Sequence, residues 1–104
     1  MKEIEEFKEL INKELYYESH EALEEIWFPI RKTKDNYCLV LKGFINAAVS
    51  LELYKRDKIE QSKRIYLIYK KYVNEKRIIE TIRYREFQDL KIFIDKKFEE
   101  KEIA

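Results

Sequence analysis

His20 is the one imidazole in a chain of 104 residues. It lies in a run of acids and aromatics, Tyr16-Tyr17-Glu18-Ser19-His20-Glu21-Ala22-Leu23-Glu24-Glu25-Ile26-Trp27. An imidazole beside carboxylates is the material of acid–base catalysis or of a metal site. At about 100° per residue, a helix here gathers Tyr16, Ser19, Ala22, Leu23, Ile26 and Trp27 on one face. Tyr17, Glu18, Glu21, Glu24 and Glu25 share the other. His20 falls on the boundary, where a ring is partly desolvated yet open to substrate, and Glu24 follows it one turn later. The competing reading is architectural. A histidine at a core edge is held by neighbouring acceptors, and clustered glutamates form a solvated face.

Two chemistries fit this pattern. In the first, His20 and Glu24 ligate a divalent metal ion that acidifies a bound water and polarises a small-molecule substrate. Glu21 is then a third ligand or the general base, and Tyr17 and Asn46 orient water or substrate. Mn, Fe, Mg and Zn suit one histidine with carboxylates about equally. Glu21 and Glu24 stand about 60° apart around the helix, so Glu52 or a second subunit has to complete the ligand set. In the second chemistry no metal takes part; His20 is the base, and Glu24 or Glu21 holds its tautomer. Ser19 adjoins His20, but neighbours at i, i+1 do not face each other on a helix, so no nucleophilic triad forms. Cys38 reads as a small core residue.

The elements that position these residues are helices. Ile4, Phe7, Leu10 and Ile11 give residues 2–12 an amphipathic period. A second helix is expected from about Glu14 to Trp27, ending before Pro29 because the residue preceding proline leaves the helical region. Thr33 or Asp35 caps a third, at about 35–55, whose apolar runs suggest a largely surrounded element. Gly43, Ala47 and Ser50 form a small-residue track on it, open to close approach by another backbone. Asp57-Lys58-Ile59-Glu60 reads as a capping box for a fourth helix at about 57–74. Leu67 interrupts the basic face of that helix. Residues 76–81 are ambiguous, and a last helix runs from about 84 to 100. The expected fold is all-α: one domain, a compact bundle of four to five helices with short connections.

Composition narrows the function classes. One glycine and one proline disfavour an all-β fold and exclude glycine-rich phosphate loops. A single cysteine cannot form an internal disulfide, and with an acidic N-terminus the expected location is cytoplasmic. No uncharged apolar run approaches the ~18 residues of a membrane span, so no membrane role is expected. The net charge of +1 names no partner, but residues 1–54 hold 7 basic and 11 acidic residues while residues 55–104 hold 15 and 10. The basic half, with Tyr66, Tyr69, Tyr72 and Tyr84 interleaved, raises nucleic-acid binding. Those tyrosines follow the apolar arc, so core packing explains them better and nucleic acid ranks last. A homodimer or other helical interaction module, with Leu67 exposed, is the non-catalytic alternative.

The run YYESHEALEEIW, followed by LKGFINAAVSLELYKRD, resembles the domain of unknown function 309 family. Tyr16, Tyr17, Glu18, Ser19, His20, Glu21, Glu24 and Trp27 match its first block, Gly43, Ala48 and Leu51 its second, and Asn12 an upstream position. The similarity covers about residues 7–66. It implies a small all-helical fold, and members are sometimes labelled predicted metal-dependent hydrolases. Glu14 stands where the family tends to have glycine, and Asn46 where it tends to have glutamine. A family histidine near position 52 or 53 is replaced by Glu52 or Leu53, which weakens a two-histidine metal site.

Overall fold

In the computed structural model, which describes residues 1–103, helices account for every regular element. They are α1 (Lys2–Asn12), α2 (Tyr16–Trp27), α3 (Asn36–Lys55), α4 (Ile59–Tyr72), the single turn α5 (Glu75–Ile78) and α6 (Tyr84–Glu100); a 3₁₀ turn, Phe28–Ile30, follows α2. Five full helices and one short turn make an all-α bundle of 35 × 24 × 24 Å.

Helix α3 is the centre, packed chiefly on α4 and α2. Asp35 starts it, its carboxylate accepting a hydrogen bond from the Cys38 amide at 2.9 Å, which satisfies one of the unpaired amides of a helix start. By length and hydropathy α3 is long and apolar enough to cross a membrane, but Val40, Leu41, Phe44, Ala47, Ala48 and Leu51 are buried among the other helices. Its apolarity is therefore that of a bundle's core helix. The core extends through α1, with Ile4, Phe7 and Ile11, and through α6, with Phe87, Leu90, Ile94 and Phe98. Complete burial of each large side chain contributes roughly 1.5–3 kcal/mol. An aromatic chain ties the layers together: Phe87 on Phe44, Phe44 on Tyr69 and Tyr69 on Phe98, with ring centroids 5.3–6.0 Å apart. Tyr69 is fully buried, so it offers no face for stacking a base.

The small-residue track meets α4. A Cβ on Gly43 would run into Val73 Cγ2 and lie 3.1 Å from Tyr72 Cβ. Farther along, Ser50 and Ser62 exchange hydrogen bonds, each hydroxyl donating to the other's carbonyl at 2.7 and 2.8 Å. Both serines are buried, and the pairing leaves neither hydroxyl unsatisfied.

Three helices end in the same way, and two of these ends delay the start of the next helix. Glu14, Asp57 and Glu102 have φ of 57°, 62° and 58°, the left-handed conformation that terminates a helix. After α3, the Asp57 amide donates to Tyr54 O and the Lys58 amide to Leu53 O; Glu14 with Leu15 and Glu102 with Ile103 repeat the pattern after α1 and α6. Asp57 therefore ends α3 and does not cap α4, which starts at Ile59 with no side-chain cap. Glu14 likewise ends α1, so α2 begins at Tyr16. Position 14 is one where glycine would be unstrained. Asn74 does not close α4, which stops at Tyr72; its side chain accepts from the Arg77 amide and caps α5.

Candidate functional site

Tyr16, Tyr17 and His20 from α2 face Ala48, Val49, Glu52 and Leu53 from α3, with Arg56 just past its end, across a cleft of about 290 Å³. The walls are mostly apolar and the polar groups few, the usual make-up of a small-molecule site. A second depression, about 390 Å³, continues past Tyr16, Tyr17, Glu52 and Arg56 toward Glu14, Glu18 and Lys55.

Both ring nitrogens of His20 face oxygen acceptors, and the one beside Glu24 is hydrogen-bonded only when it too carries a proton. Nδ1 lies 2.5 Å from Tyr17 O. A carbonyl oxygen can only accept, so Nδ1 carries the proton and the neutral ring has its basic lone pair on Nε2. Nε2 lies 3.2 Å from Glu24 Oε1. The Tyr17 ring stands edge-on to the imidazole, centroids 4.9 Å apart. The His20 side chain is 17% exposed and that of Glu24 42%. The ring is thus neither sealed in the core nor free in solvent.

Across the cleft, Arg56 Nε donates to Glu52 Oε2 at 2.6 Å. At the near end, Lys55 Nζ donates to Glu14 O at 2.9 Å, tying the turn between α1 and α2 to the end of α3. Tyr16 is buried beneath. Burial first, then the negative charges of Glu14, Glu52 and Glu100, push its hydroxyl up to about 12. It stays protonated at neutral pH.

The expected site residues are not all brought together. His20, Tyr17 and Glu24 form one cluster. Glu21 is exposed on the outer face of α2 and does not line the cleft. Asn46 turns back on its own helix, Nδ2 donating to Lys42 O at 2.9 Å, and it too is absent from the walls. Sequence spacing missed Arg56, although its i, i+4 relation to Glu52 was a readable cue.

A metal does not fit these residues. Among the described residues no group of three or more His, Cys, Asp or Glu side chains could hold an ion. His20 and Glu24 are two donors only, Nδ1 is committed to Tyr17 O, and Glu52 is committed to Arg56. Within one chain, then, neither Glu21 nor Glu52 joins His20 and Glu24 as a third donor.

The model of the domain of unknown function family DUF309 matches residues 4–65. The chain belongs to that family. The match spans α1 to α3 and the first half of α4, so every wall of the His20 cleft lies within the DUF309 region, while α5 and α6 lie outside it. No curated protein and no solved structure matches this DUF309 chain.

Proposed function

We propose that this DUF309 protein is a small-molecule hydrolase that works without a metal, with His20 as its general base. The observation that carries this reading is the ring's orientation. Nδ1–H is fixed on a main-chain carbonyl at the edge of a cleft, which leaves Nε2 as the nitrogen that can take a proton. Glu24 is exposed enough for its carboxylate to yield its place beside Nε2 to a water. Once Nε2 takes that water's proton, the same carboxylate stabilises the imidazolium. Tyr17 supports the ring, and Val49 and Leu53 offer apolar contact to a substrate whose polar end reaches Arg56.

Short p-nitrophenyl esters test it. Wild type is expected to turn them over faster than buffer, and His20→Gln to lose about 10²-fold or more while its melting temperature stays within a few degrees. Glu24→Gln, which keeps an acceptor near Nε2, is expected to lose less. An unchanged rate in folded His20→Gln, or no turnover by wild type, overturns the reading.

The exposed aliphatics favour a second, non-catalytic reading. Leu67, Ile79, Ile82 and Ile92 are 63–91% exposed, all in α4 to α6 and their connections. We propose a homodimer formed through this half of the chain as the alternative.

A further inference from the structure

The end of the bundle around α5 carries a second cavity, most of whose lining lies outside the DUF309 region. A cavity of about 250 Å³ is lined by Asn36, Asn74, Lys76, Arg77 and Glu80. Arg77 Nε is buried there with no hydrogen-bond partner. A buried donor left unpaired costs about 1–3 kcal/mol, and a guanidinium ordinarily finds a carboxylate or phosphate. Arg77 finds only a neutral amide, Nη1 donating to Asn36 Oδ1 at 3.1 Å.

The surroundings are positive and unneutralised. Lys42 Nζ, Lys71 Nζ and the Arg77 guanidinium all lie 5.6–6.0 Å from the centre of the Tyr72 ring. Lys76 lines the same cavity as Arg77. Among the described residues none of these four cations has a carboxylate within 4.0 Å, whereas Arg56, Arg83, Lys91 and Lys101 each do. The one acid lining the cavity, Glu80, is turned to Asn36, whose Nδ2 donates to Glu80 Oε2 at 3.3 Å. Arg77 and Lys76 in the cavity wall, with Lys42 and Lys71 near the Tyr72 ring that Arg77 also approaches, raise the local concentration of anions.

We infer that this cavity binds a small oxyanion, a phosphate or a phosphate monoester, with Arg77 and Lys76 as its charged partners and the Asn36 amide as a further donor. Asn74 positions Arg77: its Oδ1 accepts from the Arg77 amide at 2.8 Å and its Nδ2 donates to Lys71 O. A free anion is favoured over a nucleic-acid backbone because Arg77 is recessed in a cavity and not spread along a basic ridge.

The test is an NMR titration of the whole protein with inorganic phosphate, followed at the Arg77 Nε–H resonance and at the backbone amides of residues 74–80, the latter also readable in the variants, with sulfate and a short DNA duplex as parallel probes. Saturable phosphate shifts at millimolar concentration or below support the site, as does their loss in Arg77→Gln. If that variant fails to fold, Lys76→Gln is expected to weaken binding several-fold with its fold intact. Linear shifts that never saturate, identical binding by folded Arg77→Gln, or (without Arg77→Gln) by Lys76→Gln, or saturation by the duplex alone would each overturn the proposal.

Discussion

At the scale of single residues, hydrogen-bond inventory decides more than proximity does. The pairing of His20 with Glu24 was readable from sequence because one helix fixes an i, i+4 spacing whatever packs around it. The Glu52–Arg56 pair has the same spacing, but its place in the cleft was not readable, because which face of α3 meets α2 depends on the packing of the whole bundle. Asn46 shows the opposite failure: its place on α3 suggested reach toward the site, but its amide is spent on Lys42 O. Tyr69 is the other residue whose chemistry is set by its surroundings. It is fully buried, its hydroxyl donates to Asp95 Oδ1 at 2.7 Å, and Lys91 holds the other carboxylate oxygen at 2.7 Å. Burial first, then Asp95, push the Tyr69 hydroxyl far above the ordinary tyrosine range. Because the folded value lies above the unfolded one, the stabilisation is complete below about pH 10 and is lost as pH rises further. Urea unfolding between pH 7 and 11 is expected to show stability falling above about pH 10. Tyr69→Phe is expected to lose about 1–3 kcal/mol at neutral pH and to show a shallower alkaline decline. An equal slope in the variant would place the alkaline sensitivity elsewhere, with Tyr16 the next group of the same sign.

Among the elements, α3 and α4 show how a sequence with one glycine uses it. Gly43 is in a helix interior, where alanine is ordinarily favoured by about 1 kcal/mol. Here Val73 and Tyr72 occupy the space a side chain would need, and Val73, buried and β-branched, cannot easily turn away. Overpacking costs typically about 1–3 kcal/mol, so Gly43→Ala is expected to be destabilising on balance. A thermal melt checks the sign, and a stabilised variant would show that the contact relaxes freely. The small-residue track was legible because Gly43, Ala47 and Ser50 recur at helical spacing; the reciprocal Ser50–Ser62 bonds were not, since they join residues on two helices. Helix boundaries were misread where Glu14 and Asp57 take the left-handed conformation. Propensity rules assign that role to glycine or asparagine, and an acid followed by Glu60 imitates a capping box.

For the molecule as a whole, the central α3 was evident from its apolar runs, and the all-α class from helical periodicity and the scarcity of glycine and proline. The short α5 was not, since four residues carry too little periodicity to read. In the proposed homodimer, exposed Leu67 on α4 and Ile92 on α6 are residues a second copy would cover. Sedimentation velocity over a concentration series is expected to show reversible dimerisation, with Leu67→Glu shifting the chain to monomer. A wild type that stays monomeric at high concentration would remove the homodimer reading and leave the cleft reading untouched.

The cleft reading depends on which nitrogen of His20 carries the proton, and the chain's single histidine makes that directly observable. Long-range ¹H–¹⁵N correlation of the neutral imidazole is expected to show the proton on Nδ1 and a lone pair on Nε2. A neutral ring protonated on Nε2, with Nδ1 released from Tyr17 O, would contradict the assignment of His20 as a poised base.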